Sequence, residues 1–343
     1  MVKVGIVGLG FMGGTHAQSY ALLPDAEVAA VVDQDAARRS DFAAKYGAAA
    51  YATTERMLKE AGVDAVDVCL PSNLHRRVVE KAAKAGKHVL CEKPMALSLR
   101  EADAMIQTCQ DAGVILMVGH VLRFWPEYVR VKEIVDSGRL GAIRWMSATR
   151  LSPPPDWSWE GWLFQPKLSG GAVVDLQIHD LDTFAWLAGP PTTVSAAGRL
   201  SPAGAMDSVL TTSSGYADDV VAFAEASLAM PPNFPFTMAL TVVCERGTIE
   251  LNTRLDPPLS VYPVDGEPEH PVVPDVTGGA QSDEAVGNIQ QLGGYFAEVR
   301  YFVECVDQGR EPKTVTPEDA RLALAVALAA RKSAERGGRP VQV

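Results

Sequence analysis

Residues 2–33, VKVGIVGLGFMGGTHAQSYALLPDAEVAAVVD, hold the pattern that decides the fold. An apolar strand leads into the glycine motif GLGFMG at 8–13, which opens a helical segment, and a second apolar strand ends at Asp33. Glycine in this motif permits a tight turn, close approach of the backbone to a diphosphate and close packing of helix on strand. Because Asp33 follows Gly13 by twenty residues, the stretch predicts a dinucleotide-binding unit in a doubly wound sheet.

The glycine motif also predicts where the dinucleotide binds. The pyrophosphate is expected at the N-terminus of the helix, where backbone N–H groups favour an anion. The contacts predicted from this turn come from Gly8, Gly10, Phe11, Met12 and Gly13.

Asp33 predicts which dinucleotide is used. A carboxylate at this place accepts hydrogen bonds from the ribose 2′-OH and repels a 2′-phosphate, which favours NAD over NADP. Asp35 adds negative charge nearby, whereas Arg38 and Arg39 offset part of it. Arg38 is predicted to contact the cofactor by stacking on the adenine, with exposure to solvent as the alternative.

Apolar strands alternate with helix-period segments from residue 2 to about residue 120. Such alternation is typical of βαβ units over a parallel sheet. The predicted strands are 2–7, 28–33, 65–70, 88–91 and 114–119. We therefore predict an α/β chain whose first domain, residues 1–121, is a Rossmann domain that binds NAD.

The pattern changes after residue 121. A helix predicted over 171–187 precedes a run of long alternating segments joined by turn sequences, which predicts a meander of antiparallel strands. Two helices, 286–307 and 317–336, are predicted to close the chain. Residues 122–343 are thus expected to form an α+β domain for substrate binding and oligomerisation, built on a large, mostly antiparallel sheet with one open face.

Composition and charge argue against several classes of partner. The formal net charge of −11 disfavours nucleic acid and anionic membrane surfaces, since both attract basic proteins. No window reaches the roughly 18 apolar residues of a membrane span, and the first residues lack the pattern of a secretory signal. The five cysteines show no CxxC pair and no metal-ligand spacing with the histidines. We therefore predict no metal site, free thiols and a cytoplasmic location.

Three further motifs stand at the ends of predicted strands, where a doubly wound sheet binds its ligands. LPSNLH occupies 70–75, CEKP occupies 91–94 and GHVLRF occupies 119–124. Together with the glycine motif they closely resemble the Gfo/Idh/MocA family, which includes glucose–fructose oxidoreductase and inositol dehydrogenase. The resemblance covers essentially the whole chain and is tightest over 1–190.

The resemblance implies a set of cofactor contacts and a catalytic lysine. The implied cofactor contacts of the strand-end motifs are Leu70, Pro71, Ser72, Asn73, His75, Glu92 and Lys93. Lys93 is also the implied catalytic residue and binds the substrate. An ammonium beside the reacting carbon can hydrogen-bond the substrate oxygen and favour the alkoxide-like state that precedes hydride departure.

Asp175 and His179 are the other catalytic residues that the resemblance implies. They lie four apart on the predicted helix and so share one face. They resemble the family's Asp-xxx-His, in which the histidine accepts or donates a proton and the aspartate binds the substrate and tunes the histidine. Histidine suits this role because it exchanges protons near neutral pH.

The chain departs from the family pattern at three positions. Ala172 and Gln177 stand where relatives often carry glycine, and Leu163 stands where many carry arginine after the loop tryptophan. These changes leave the three catalytic residues intact and alter the contacts expected between that loop and the cofactor.

The loop over 156–164 contains three of the six tryptophans. Indoles can stack on the CH-rich face of a sugar, and they can equally form a lid, a subunit contact or ordinary packing. Trp162 is the predicted substrate contact of this loop. His120 and Arg123 are predicted to reach the substrate or the cofactor, with packing at the strand end as the alternative for His120.

The predicted reaction transfers a hydride between NAD and a secondary alcohol or ketone carbon of a sugar, an inositol or a related polyol. Two alternatives are an NAD-bound regulator of the same fold and an NAD-dependent glycosidase that oxidises its substrate transiently. The intact Lys93, Asp175 and His179 argue against the regulator. As in relatives, the open face of the second sheet is expected to form a homodimer or a homotetramer.

Overall fold

The computed structural model of the chain describes residues 1–156, 158–202, 204–277 and 292–343. Two compact units are present, Met1–Trp125 with Asp275–Arg321, and Pro126–Pro274 with Leu322–Val343. The first boundary lies close to the predicted one at residue 121. Asp275–Arg321 lies in the first unit, whereas the sequence assigns all residues after 121 to one second domain.

The first unit alternates strands and helices in the order β1 (Val2–Val7), α1 (Phe11–Ala21), β2 (Ala26–Val32), α2 (Ala36–Tyr46), β3 (Ala49–Tyr51), α3 (Thr54–Glu60), β4 (Ala65–Val68), α4 (His75–Lys84), β5 (His88–Glu92), α5 (Leu99–Ala112) and β6 (Leu116–Gly119). The strands form one parallel sheet in the order β3-β2-β1-β4-β5-β6. This is the Rossmann order, so the predicted fold of this unit is confirmed. Sequence reasoning missed β3, which at three residues is too short to show a strand pattern.

The rest of the chain forms α6 (Pro126–Asp136), β7 (Ile143–Leu151), α7 (Pro166–Ser169), α8 (Ala172–Asp175), α9 (Ile178–Ala188), β8 (Thr193–Leu200), β9 (Met206–Ser214), β10 (Val221–Ser227), β11 (Thr237–Cys244), β12 (Gly247–Asn252), β13 (Leu259–Pro263), α10 (Gly293–Gln308), α11 (Pro317–Glu335) and β14 (Val341–Gln342). Eight strands make a second sheet in the order β13-β12-β11-β7-β10-β9-β8-β14. Only β7 and β10 pair in parallel, which confirms the predicted large, mostly antiparallel sheet.

Helix α10 explains why the late segment belongs to the first unit. Its side chains Phe296, Val299, Phe302 and Val303 are buried in the same apolar core as Ile6 of β1. Removing apolar surface from water stabilises the folded state by about 25 cal/mol per Å². The large buried side chains therefore hold α10 against the core of the first unit. Residues 286–291 of the helix predicted over 286–307 lie outside the described residues.

The helix predicted over 171–187 is two helices, α8 and α9, so the single-helix prediction is wrong. The N–H groups of Leu176 and Gln177 both donate to the carbonyl oxygen of Ala172, at 2.9 and 2.8 Å. A bond from residue i to residue i−5 widens the turn, and such bulges occur often at functional sites. The break falls between Asp175 and His179, the two residues that the sequence assigns to catalysis.

The longest described helix, α11, has 19 residues and carries charged residues in its first and last turns. None of the helices in the described parts of the chain is long and apolar enough to cross a membrane.

Candidate active site

The glycine turn at 8–13 has the geometry that the sequence predicts. Gly8 has a φ of +94°, and a Cβ built on it would lie 2.4 Å from the carbonyl oxygen of Cys69. A Cβ on Gly13 would lie 2.0 Å from the carbonyl oxygen of Gly8, so neither position accepts a side chain. Around Gly10, by contrast, a Cβ would meet no described residue within 4 Å beyond its chain neighbours. The turn is closed toward the protein and open at Gly10, as a backbone that receives a diphosphate must be.

Helix α1 begins at Phe11, and Met12 follows in its first turn. No side chain caps this helix at Gly10. A helix N-terminus without a side-chain cap presents its first N–H groups to an anion, which fits the predicted pyrophosphate contacts.

Asp33 directly follows β2 and supports the glycine turn. Its Oδ2 accepts the N–H of Leu9 at 2.9 Å, and its Oδ1 accepts the N–H of Asp35 at 2.8 Å. A guanidinium nitrogen of Arg38 lies 3.5 Å from Oδ2 of Asp33. Asp35 caps α2 by accepting the N–H groups of Ala37 and Arg38. The Arg38 charge therefore stands beside the carboxylate predicted to select the ribose.

The segment 70–75 leads from β4 into α4. Leu70 and Pro71 are half-buried and Asn73 is exposed, whereas Ser72 is buried. The Ser72 hydroxyl has no hydrogen-bond partner within the described ranges. Buried hydroxyls are normally bonded, so this one suits a contact with a ligand or a water. The cofactor contacts predicted here remain predictions.

His75 opens α4 and is completely buried. Its ring nitrogens lie 2.9 Å from the carbonyl oxygen of Pro94 and 2.7 Å from that of Leu70. Both nitrogens thus face main-chain oxygens of this unit. The cofactor contact predicted for His75 stays a prediction.

Lys93 directly follows β5 and is half-buried. Its N–H donates to Oε2 of Glu92 at 3.1 Å, and the Lys93–Pro94 peptide bond is cis. Glu92 is only 5% exposed, and its Oε1 lies 3.2 Å from Nε2 of His16. Glu92 therefore points into the core, and the cofactor contact predicted for this residue stays a prediction.

His16 of α1 links Glu92 to a second buried carboxylate. Its Nδ1 lies 2.8 Å from Oδ2 of Asp67 on β4. Burial alone would lower the pKa of His16, but the charge of Asp67 and the hydrogen bonds to the ring raise it well above its ordinary value. The raised pKa favours the protonated ring, which donates from Nδ1 to Asp67 and places its charge 3.2 Å from Oε1 of Glu92, an ion pair without hydrogen-bond geometry. His16, Glu92 and Glu298 place atoms suited to a metal ion within 4.8 Å of one another, and Nδ1 of the imidazole is already bonded to Asp67.

Glu298 of α10 lies beside this cluster and is completely buried. Neither of its carboxylate oxygens has a hydrogen-bond partner in the described parts of the chain. Burial, and next the charge of Glu92, raise the pKa of Glu298 well above its ordinary value of 4.5, which favours the protonated carboxyl in the folded chain. Since the folded state then holds a proton that the unfolded state has released, stability falls as the pH rises above about 4.5.

We expect Glu298→Gln to remove this contribution. The amide has the shape of the protonated carboxyl and no charge. The free energy of unfolding of the variant should therefore exceed that of wild type by on the order of 1 kcal/mol at pH 8. Urea unfolding at several pH values measures the difference, which should shrink toward pH 4. Glu304→Gln, at a 40% exposed side chain of the same helix, is the control. Parallel pH curves for wild type and Glu298→Gln would show instead that Glu298 is ionised in the folded protein.

His120 and Arg123 follow β6 and are 1% and 5% exposed. The Arg123 guanidinium donates to the carbonyl oxygen of Thr314 at 3.0 Å and lies 3.2 Å from Oδ2 of Asp319. Arg123 thus ties the returning segment to the first unit, and its predicted contact with the substrate or the cofactor stays a prediction. The role predicted for His120 stays a prediction.

The candidate catalytic residues are divided between the two units, with Lys93 in the first and the other two in the second. Asp175 is the last residue of α8 and is 8% exposed. His179 lies in the first turn of α9 and is half-buried. The break between the two helices therefore sets how these side chains are directed.

Gln177 fixes that break. Its side-chain nitrogen donates to the carbonyl oxygens of Ala224 at 3.0 Å and Val209 at 3.4 Å, and its oxygen accepts the hydroxyl of Thr211 at 2.6 Å. The three partners lie on β9 and β10. The sequence marks Gln177 only as a departure from a family glycine, whereas the structure shows that the longer side chain ties the break to the sheet.

A buried ion pair holds the next residue. Arg150 of β7 and Asp180 are 3% and 1% exposed and form two bonds, of 3.1 Å from Nε and 2.7 Å from Nη2. A paired contact of this kind fixes orientation as well as position. The backbone of His179 is therefore anchored by Gln177 on one side and Asp180 on the other. Sequence reasoning missed this pair because its members are thirty residues apart.

Trp162 lies in a 3₁₀ turn, Trp159–Phe164, and is half-buried. Trp159 is 46% exposed, whereas Leu163 is 4% exposed and adds no polar group to the loop. Trp157 lies outside the described residues. The substrate contact predicted for Trp162 stays a prediction.

Comparison with known proteins supports the family resemblance. Residues 2–120 match the family described as an oxidoreductase family with an NAD-binding Rossmann fold, and residues 128–250 match the GFO/IDH/MocA C-terminal domain. The scyllo-inositol 2-dehydrogenase (NAD(+)) of Bacillus subtilis strain 168 is 31% identical, over 100% of this chain and 96% of the relative. The myo-inositol 2-dehydrogenase of Thermotoga maritima is 28% identical, over 97% and 96%.

A solved structure shares the fold along the whole chain. GenD2 from gentamicin A biosynthesis, solved in complex with NAD, is 27% identical with a TM-score of 0.84 and covers 100% of this chain and 96% of its own. The resemblance and the NAD cofactor inferred from the sequence are confirmed. The chain belongs to the Gfo/Idh/MocA family and is an NAD-dependent oxidoreductase that acts on CH–OH groups.

Proposed function

We propose that the chain interconverts a secondary alcohol and a ketone on a cyclic polyol or sugar, with inositols as the first candidates. The observation that carries this proposal is the complete set of Lys93, Asp175 and His179, with the backbone of His179 held on both sides by the buried bonds of Gln177 and Asp180. The names of two relatives that match nearly the whole chain, both inositol 2-dehydrogenases, support the inositols.

Lys93 is the proposed partner of the reacting oxygen. Its ammonium donates a hydrogen bond to that oxygen and stabilises the negative charge that grows there as the C–H bond breaks. The glycine turn and Asp33 provide the fit for NAD, which supplies the hydride acceptor when bound.

His179 is the proposed base in the oxidation direction. Its neutral ring accepts the hydroxyl proton, while the carbon loses hydride and the C–O bond becomes a carbonyl; reduction runs the same steps backward. Asp175 orients the substrate and favours the protonated ring by its charge. Every proton and electron pair in this scheme is thus assigned to the substrate, His179 or the hydride acceptor.

A substrate panel tests the proposal. Purified protein is mixed with NAD and, one at a time, inositols, free sugars, sugar acids and nucleotide sugars, and NADH absorbance is followed. We expect net NADH with at least one inositol or sugar. Glycoside cleavage without net NADH would support the transient-oxidation glycosidase, and NAD binding with no turnover on any compound would support the regulator.

We predict that NAD binds more tightly than NADP because of Asp33. A hydrogen bond to a charged group is worth about 1.5–3 kcal/mol, which corresponds to roughly 10- to 10²-fold in affinity. Calorimetry with both cofactors measures the ratio. Equal affinities would show that the charge of Arg38, which lies beside the Asp33 carboxylate, cancels the preference for NAD.

Asp33→Ser and Asp35→Ser form a matched pair for this prediction. Serine can still cap α2 at residue 35, so the Asp35 variant should keep the preference for NAD. The Asp33 variant should lose it, because no carboxylate is left to bind the ribose hydroxyl.

The open face of the second sheet is the proposed contact with a second copy of the chain. Trp145, Leu210 and Phe223 lie on one face of β7, β9 and β10 and are 40%, 56% and 42% exposed. The rings of Trp145 and Phe223 pack edge to face, with centroids 6.4 Å apart. Exposed aromatic clusters of this kind are typical of subunit interfaces.

We expect Phe223→Glu to weaken self-association by about tenfold or more, because the charge loses its water when the face is covered. Light scattering after size exclusion gives the mass as a function of concentration. Val272→Glu, at an exposed residue outside the strands, is the control. A wild-type protein with the mass of one chain at all concentrations would contradict the proposed interface.

A further inference from the structure

We propose that His16 and His75 are positioning residues for Lys93, each holding one side of the segment Glu92–Lys93–Pro94. The proposal rests on the proposed function, because it concerns the lysine assigned there to the reacting oxygen. A lysine head stands on a flexible four-carbon stem, so its place depends first on how firmly its main chain is fixed.

On one side, a chain of two hydrogen bonds and one ion pair runs from Lys93 into the core. The Lys93 N–H donates to Oε2 of Glu92, Oε1 of Glu92 lies 3.2 Å from Nε2 of His16, and Nδ1 of His16 lies 2.8 Å from Asp67. His16 belongs to α1, the helix that opens at the glycine turn. The same helix that is expected to receive the pyrophosphate therefore also holds the residue before Lys93.

On the other side, His75 holds the residue after Lys93. One ring nitrogen lies 2.9 Å from the carbonyl oxygen of Pro94, and the other lies 2.7 Å from that of Leu70. Leu70 begins the loop expected to contact the cofactor. Burial lowers the pKa of His75, so its neutral ring carries one N–H, which donates to one of these carbonyl oxygens while the other nitrogen packs against the second.

Packing alone does not explain this arrangement. Both rings are completely buried, and His16 sits between two buried carboxylates. Buried ionic groups are often no more stabilising than apolar side chains of the same volume. We therefore attribute to the two histidines a role in fixing the position of the lysine segment, and not in adding stability. A displacement of about 1 Å at a catalytic group can cost roughly 10²-fold in rate.

Asparagine and glutamine separate the two nitrogens of each ring. The amide nitrogen of asparagine falls near Nδ1 of the histidine it replaces, and that of glutamine falls near Nε2. His16→Gln therefore keeps a donor near Glu92 and loses the bond to Asp67, whereas His16→Asn keeps the bond to Asp67 and leaves no donor near Glu92. His75→Asn keeps a donor near Pro94 and none near Leu70, whereas His75→Gln does the reverse.

In each pair, we expect the lower kcat in the variant that loses its contact with the lysine segment. With the compound of the substrate panel that gives the fastest NADH production, kcat of His16→Asn and His75→Gln should fall by about tenfold or more below that of its partner variant. NAD affinity, measured by calorimetry, should be similar within each pair. Equal losses within both pairs, or failure of all four variants to fold, would show that the histidines support the domain and not the lysine.

A double-mutant cycle shows whether the loss acts through Lys93. In a Lys93→Met background the difference within each pair should vanish, because the positioned group is gone. A difference that persists there overturns the proposal. Full turnover by Lys93→Met itself would instead contradict the proposed function.

A second readout needs no substrate. Acetic anhydride is applied to each variant, and mass spectrometry compares acetylation of Lys93 with that of Lys84, whose side chain is 69% exposed. We expect faster acetylation of Lys93 in His16→Asn and His75→Gln than in their partner variants, with Lys84 unchanged. Equal acetylation of Lys93 in all four variants would overturn the positioning role.

Discussion

Lys93→Met should lower kcat by about 10² to 10⁴-fold while NAD binding stays nearly intact. Methionine keeps an unbranched side chain of similar reach and removes the ammonium, so the reacting oxygen loses its hydrogen-bond donor and its charge partner. The glycine turn and Asp33, which carry the main contacts predicted for NAD, are untouched. Steady-state rates and calorimetry with NAD measure the two quantities separately.

Lys93→Arg and Lys84→Met complete this experiment. Arginine keeps the positive charge but is longer and planar, so it should recover only part of the rate if position matters as much as charge. Lys84 is exposed at the end of α4 and should tolerate methionine. If the Lys93→Met enzyme retained the wild-type rate, that result would contradict the role proposed for this lysine.

The features that the sequence predicted correctly depend on local geometry. Gly8 needs a positive φ, and a side chain on Gly13 would strike the carbonyl of Gly8, so the residue types at the turn follow from the turn itself. The alternation of strands and helices likewise predicts a parallel sheet, and it can be recognised without knowing any contact between distant residues. The Rossmann unit could therefore be predicted in detail, apart from its short edge strand.

Side-chain direction at strand ends could not be predicted in the same way. Glu92 and Lys93 are neighbours at the end of β5, yet Glu92 points into the core and pairs with the charge of His16 on another helix. The sequence motif predicts both residues equally as cofactor contacts. Only the positions of α1 and α4 reveal that Glu92 and His75 hold the segment from within.

Long-range partners account for the other differences. The apolar face of α10 could have joined either core, and Phe302 shows which one it joins. Gln177 meets Ala224 across 47 residues of sequence, and this contact accompanies the break in a helix whose pattern looks continuous. Such partners are set by packing, so periodicity alone does not identify them.

The second large effect is expected at His179. If this ring is the base for oxidation, it must be neutral before it accepts the alcohol proton. The rate of oxidation should therefore rise with pH through one ionisation in the range where histidine titrates. His179→Ala should lower the rate by about 10² to 10⁴-fold and flatten this rise.

Asp175→Asn provides the matched test of the pair. The substitution keeps the size of the side chain and most of its hydrogen bonds but removes a negative charge that favours the protonated ring, so the apparent pKa of the rate profile should fall. Lys93→Arg keeps a positive charge that does not titrate near neutral pH, so the pH dependence that remains in this variant is assigned to His179.

The decisive comparison is a set of pH–rate profiles for wild type, His179→Ala and Asp175→Asn on one substrate that all three convert. Gln177 and Asp180 hold the backbone on both sides of His179 through their own side chains, so alanine at 179 leaves those anchors in place. A changed profile therefore reports the missing ring and not a displaced helix. If His179→Ala keeps both the rate and the pH dependence of wild type, the histidine is not the base. The alcohol proton would then leave through Lys93 or through water, and the pair on the broken helix would serve only to shape the substrate site.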